Sequence, residues 1–220
     1  MIEILRMSLG LLPASRLKNR LLRMLGWRIA TTARVGPSLF IRVRMVSADR
    51  DARIGSLNVF RDLQDLDLGA NSVIGQWNWC SASPALVAAG GKGSIELGRE
   101  SAITSRHYID ASGGVVIGSF TTVAGVRSTF ITHGIDWRAN VQRCQSISVG
   151  DYCIVGSNNC LVPGAMIERG SVTGMGTTVG GPQAGGSLII SERGRPVKAN
   201  LSGRFFERPV GFTSPEQSTK

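Results

Sequence analysis

Histidine is nearly absent from this chain, with two in 220 residues, His107 and His133. A zinc centre of three imidazoles is therefore out of reach. Cysteine is scarce, and none of the four (Cys80, Cys144, Cys153, Cys160) stands in a Cys-x-x-Cys spacing. That argues against a disulfide framework or metal knuckle and for reduced thiols. Aromatic residues make up only 6 % of the chain and no nucleic-acid-binding motif is present, so the net charge of +10 does not point to a nucleic-acid partner. No apolar run is long enough to span a bilayer. Arg6 interrupts the first apolar stretch and no small-residue cleavage site follows, so a signal peptide is not expected. What remains is a chain of single-domain size expected in the cytoplasm.

A six-residue beat is what the sequence has instead. Val149, Val155, Leu161, Ile167, Thr173 and Val179 recur at that interval, most followed by a glycine or another small or acidic residue. The residue four places after each (Cys153, Asn159, Ala165, Ser171, Thr177) is small. So short a period marks a β-solenoid, in which an aliphatic side chain enters a narrow core and bulk is penalised at the corners. Upstream the beat continues through Leu68, Ile74, Cys80 and Leu86, and after a Gly-rich insertion at 88–93 through Leu97, Ile103 and Ile109. Two extra residues at Gly113–Gly114 precede Ile117, Val123 and Thr129, and weaker hexads start at Val35, Ile41, Ser47 and Ile54. With three hexads to a triangular coil, the pattern predicts roughly seven coils in an all-β domain over 31–185. A helical cap is expected over 1–30 and a tail over 186–220, mobile from Thr213 to Lys220.

The positive charge is unevenly placed. Residues 1–61 hold twelve Lys or Arg against Glu3, Asp49 and Asp51, a balance of +9 out of +10. One helix, or two short helices split at Pro13, is expected over the first 27 residues, the second piece with Leu17, Leu21, Leu25 and, offset, Met24 on one face and Arg16, Lys18, Arg20 and Arg23 around it. This segment reads as a lid on the first coil or as an interfacial element on anionic lipid, two roles that can coexist.

Chemistry is sought where the beat breaks, because loops on rigid scaffolds concentrate function. The largest late break, 131–146, contains His133, Asp136, Trp137, Arg138 and Arg143. Three segments in order then carry a resemblance: Thr132-His133-Gly134-Ile135-Asp136, the hexads from Val149 to Gly181, and Gly194-Arg195-Pro196-Val197-Lys198. They resemble the hexapeptide-repeat acyltransferases, in particular the sugar O-acetyltransferases related to the maltose, galactoside and colanic-acid enzymes.

That resemblance implies a left-handed parallel β-helix with a helical cap, a homotrimer and acetyl-coenzyme A as acyl donor, with no metal. It implies that His133 is the general base, a role suited to an imidazole near neutral pH. The group that orients His133 is left among Asp136, a backbone carbonyl and the segment Arg106–Asp110. His107 and Asp110 are candidate acceptor contacts, as are Trp137, with its apolar face, and Arg138. Ser157, Gly174, Met175 and Lys198 match coenzyme positions. The chain departs from the pattern at Gly180-Gly181, where a Thr-Lys pair is usual, and at Ile154, usually aromatic; Arg193 and Arg195 are candidates for the displaced cation. The expected activity is O-acetylation of a saccharide for a surface glycan, with peripheral membrane association through the basic N-terminus. N-acetylation of an amino sugar or xenobiotic and a non-catalytic scaffold are the alternatives.

Overall fold

The computed structural model describes residues 2–192, 199–200 and 207. From Arg28–Ile29 to Leu188–Ile189 the chain winds through three parallel sheets of eight, eight and seven strands. One turn of the coil runs through Val115–Ile117, Thr122–Val123 and Thr129–Phe130, and the next coil pairs Val115 with Ile147, Val123 with Val155 and Phe130 with Leu161. The architecture is a left-handed parallel β-helix of seven full coils, with two strands of an eighth.

The beat from Val149 to Val179 lies inside, every member buried. Upstream, three expected inward positions are displaced by one residue. Phe40 rather than Ile41, Val46 and Ala48 rather than Ser47, and Phe130 rather than Thr129 point into the core. A one-residue slip in a strand exchanges its two faces, and at two of these positions a phenylalanine takes a place the aliphatic pattern reserved for a smaller side chain. Leu86 does not keep the beat. It is buried from a short helix, Pro84–Ala88, that leaves the coil between the strands Trp79–Ser81 and Ser94–Leu97. Glycine at the corners follows from close approach: a Cβ on Gly75 would collide with the carbonyl oxygen of Thr104 in the next coil.

At the corner before the third sheet, the small inward residues form a hydrogen-bonded ladder: Asn58, Asn78, His107, Ser128, Asn159 and Thr177. The amide N–H of Asn78 donates to Oδ1 of Asn58 at 2.9 Å, that of His107 to Oδ1 of Asn78 at 2.9 Å, and that of Ser128 to Nδ1 of His107 at 3.1 Å. The ladder continues from Asn159 N–H to Ser128 Oγ at 3.2 Å and from Thr177 N–H to Asn159 Oδ1 at 2.6 Å. Polar groups of this narrow core are thus paired from one coil to the next as far as Asn159; at the last rung the Thr177 hydroxyl is buried with no partner among the described residues.

His107 is one of these rungs. Its ring is 2 % exposed, and Nε2 lies 3.0 Å from Thr104 Oγ1. Because Nδ1 accepts from Ser128, the ring is the Nε2–H tautomer, and burial lowers its pKa from 6.5 to about 4. Between those values the unfolded chain binds a proton that the native chain does not. Stability therefore rises with pH across this window and falls as pH drops from about 6.5 to about 4, by about 3 kcal/mol in all. We expect His107→Asn, which copies the rung at Asn78, to fold at neutral pH and to flatten that part of the urea-midpoint profile. An unchanged slope would show that other groups govern it.

Two helices, α1 (Ile2–Gly10) and α2 (Arg16–Met24), close the first coil. Ser15 caps α2, its Oγ accepting the Lys18 N–H at 3.1 Å. The face of α2 that meets the coil is not the leucine face expected from the sequence but Lys18, Asn19 and Leu22. The opening coil presents carbonyls with no preceding coil to pair them, and buried carbonyls require donors. Lys18 Nζ supplies Gly10, Leu12, Val35 and Gly36 at 2.7–3.1 Å, and Asn19 Nδ2 supplies Ala33 at 2.7 Å. Trp27, Phe40 and Phe60 fill the core behind them, with ring centroids 5.0 Å apart at each step.

Candidate active site

Two excursions leave the solenoid at the corner between the third and first sheets. One carries the helix Pro84–Ala88; the other, two coils on, is the break at 131–146. That break is an ordered hairpin in which His133–Asp136 pairs antiparallel with Val141–Cys144. The coil between them turns the same corner through Asp110, Ala111, Ser112, Gly113 and Gly114. Asp110 is therefore flanked on both sides, and it is buried.

Stacking of the coils brings Asp110 to His133. The Asp110 Oδ2 lies 2.7 Å from His133 Nδ1 and also accepts the N–H and hydroxyl of Thr132 at 2.8 and 2.6 Å. Its Oδ1 accepts the N–H and hydroxyl of Ser112 at 3.1 and 2.6 Å. Burial alone would raise this carboxyl's pKa, but the bonds from Ser112, Thr132 and His133 outweigh it and hold the group below the usual carboxylate value. An ionised carboxylate on Nδ1 keeps the proton there, which leaves the Nε2 lone pair of a neutral imidazole available to take a proton. Among the described residues Nε2 has no partner.

The partly exposed imidazole opens onto a cleft of about 410 Å³ on the outer face of the third sheet, walled by Trp79, Tyr108, Arg61 and Pro84. Trp79 and Tyr108 are register neighbours in adjacent coils. The Arg61 guanidinium is tied to Asp62 at 2.9 Å and Arg42 joins it on the same carboxylate, so the cleft wall is cationic but partly neutralised. Sequence reasoning missed Trp79, Tyr108 and Arg61. The signal was the residue just before the inward position: an aromatic precedes both Cys80 and Ile109.

The remaining expected residues lie elsewhere. Asp136 does not touch His133. Its carboxylate accepts the N–H groups of Ala139 and Arg138 and the Arg143 guanidinium, all at 3.1 Å, and so braces the hairpin turn. These bonds, that from Ala139 first, lower its pKa. Trp137 is 76 % exposed at the hairpin tip, with the Arg138 guanidinium 4.6 Å from its ring centroid, and neither residue lines the cleft. His107 faces the interior and does not line it either. Ser157, Gly174 and Met175 share the corner before the third sheet, where Gly176 N–H donates to the Ser157 carbonyl at 3.0 Å. Within one chain that is a different corner from His133. Lys198, Arg193, Arg195 and the segment Thr213–Lys220 lie outside the described residues.

No family model matches the chain and no curated protein does. A solved structure of a mutant of AntD, an N-acyltransferase from Bacillus cereus, in complex with dTDP-4-amino-4,6-dideoxyglucose and coenzyme A, is similar to it. The TM-score is 0.55 at 14 % identity, over 86 % of this chain and 91 % of that one. What the two share is the fold. A second AntD mutant, in complex with dTDP and coenzyme A, aligns at a TM-score of 0.45 and 12 % identity.

Proposed function

We propose that this chain is a coenzyme A-dependent acyltransferase that acylates a sugar, with His133 as general base and Asp110 as its positioning carboxylate. The observation that carries the reading is the 2.7 Å Asp110–His133 contact, with Nε2 open to an aromatic-walled cleft. In the reaction Nε2 accepts the proton of a sugar hydroxyl as the oxygen attacks the thioester carbonyl. The protonated imidazole, stabilised by the Asp110 carboxylate, returns that proton to the departing thiolate as the carbon–sulfur bond breaks. Trp79 and Tyr108 offer faces on which a pyranose ring rests.

The donor's place is read from the other corner. Beside Met175, which projects into solvent, the backbone is bare at Gly176, where nothing lies within 4 Å of an added Cβ, whereas Gly174 is covered by Ile190, 2.9 Å from where its Cβ would stand. An extended thioester arm fits along such a strip. Since His133 and this strip occupy different corners, a neighbouring copy must supply one of them, which supports a homotrimer with its donor groove between solenoids. In this reading acetyl-coenzyme A is the donor and the acceptor belongs to a surface glycan.

Acylation of an amine is the second reading, favoured by the likeness to an N-acyltransferase solved with an amino-sugar nucleotide. The test is thiol release from acetyl-coenzyme A with paired acceptors, a neutral sugar and its 4-amino counterpart, each free and nucleotide-linked. We expect turnover with a hydroxyl acceptor. Turnover with the amine alone would replace O- by N-transfer, and release with neither across a broad panel would favour the scaffold reading.

A further inference from the structure

The cap helix α2 turns two polar residues, Lys18 and Asn19, toward the protein beside Leu22, and leaves Leu17 and Met24 facing out among its arginines. Lys18 is 1 % exposed, whereas Leu17 is 66 % and Met24 74 % exposed. Ile4 and Leu5 of α1 and Leu11 and Leu12 of the intervening turn are exposed beside them. A monomeric protein gains nothing in water from leaving so many large aliphatic side chains at one end. The cations form the second half of the pattern. Arg16, Arg20, Arg23, Arg28 and Arg34 are all exposed, and none is in an ion pair with a described residue. Between residues 2 and 48 the only carboxylate is Glu3. Arg16, Arg34 and Arg53, with Thr31, Thr32 and a single carboxylate, Asp51, also line a concavity of about 450 Å³ at the start of α2.

We propose that this end of the solenoid docks on an anionic lipid bilayer, with Leu11, Leu12, Leu17 and Met24 in the headgroup–acyl boundary and the arginines on lipid phosphates. Charge selects this occupant. A second copy would set one arginine cluster against another, whereas a bilayer offers apolar depth and negative charge in the same plane. Docking here leaves the His133 corner, several coils away along the solenoid, free to work.

The test is co-sedimentation of the full-length chain with vesicles of phosphatidylcholine alone or mixed with phosphatidylglycerol. We expect partitioning onto the mixed vesicles only, weakening with salt as headgroup attraction is screened. The pair Arg16→Gln and Arg20→Gln should weaken it by about 25-fold, at about fivefold per arginine. Leu12→Gln with Leu17→Gln should weaken it by about tenfold or more, with an unchanged circular-dichroism spectrum because neither leucine is packed inside. The proposal is overturned by equal binding to both vesicle types, by no binding, or by either double variant binding like the parent. It is equally overturned if lipid-free sedimentation shows the leucine pair driving self-association, or if the surface binds an acidic protein in preference to vesicles. Partitioning needs no acyl transfer, so this result stands apart from the test of the proposed activity.

Discussion

Replacing His133 by alanine is expected to lower kcat for acyl transfer by about 10²- to 10⁴-fold, the usual contribution of a positioned general base. Donor binding should persist, because in the proposed mechanism the imidazole acts on the acceptor hydroxyl and the departing thiolate and does not hold the donor's arm. Stability should change little: the ring is partly exposed, and its one bond, to Asp110, is one of five that the carboxylate accepts. Steady-state kinetics beside a donor titration separates these effects. Turnover close to that of the parent would remove His133 from the mechanism and leave the cleft as a binding surface.

Asp110→Asn should be nearly as damaging to turnover, by as much as about 10⁴-fold, the loss seen when an amide replaces the carboxylate behind a catalytic histidine. The physical reason lies in the donors around it. Thr132 N–H, Ser112 N–H and the His133 Nδ1–H all point at Asp110, and an amide turns an NH₂ toward at least one of them. The imidazole loses the group that fixes its tautomer, and a buried donor is left unpaired at a stability loss of about 1–3 kcal/mol. Because stability and turnover both change, a readout specific to positioning is needed. His133 is the sole imidazole left once His107→Asn is in place, so its ring-nitrogen NMR signals report its tautomer without ambiguity. In Asp110→Asn the Nδ1–H form should lose its preference; an unchanged tautomer with lost activity would make Asp110 a structural residue only.

The coil was legible because its driving force is periodic: each aliphatic position reports the same narrow core, and the loop that breaks the period stands out against it. Less legible was anything set by contact between coils. Asp110 is adjacent in sequence to inward Ile109 and 23 residues from His133, so no local pattern couples the two, whereas Asp136 is near in sequence and separated along the hairpin. His107 looked chemical because histidine is rare here, yet stacking makes it equivalent to Asn78 and Asn159. The amphipathicity of α2 was plain but its inward side was not. Helix periodicity tells which residues share a face; the unpaired carbonyls of the first coil decided which face turned in.

The ladder before the third sheet holds asparagine, histidine and serine in the same place, each receiving an N–H from the coil after it, with a threonine as its last member. Such a column tolerates several side chains in one place, so the shape makes few demands on the letters that fill it. A B. cereus N-acyltransferase has the same fold at 14 % identity. In a molecule of this kind the spacing of the turns specifies the coil more than the particular residues do.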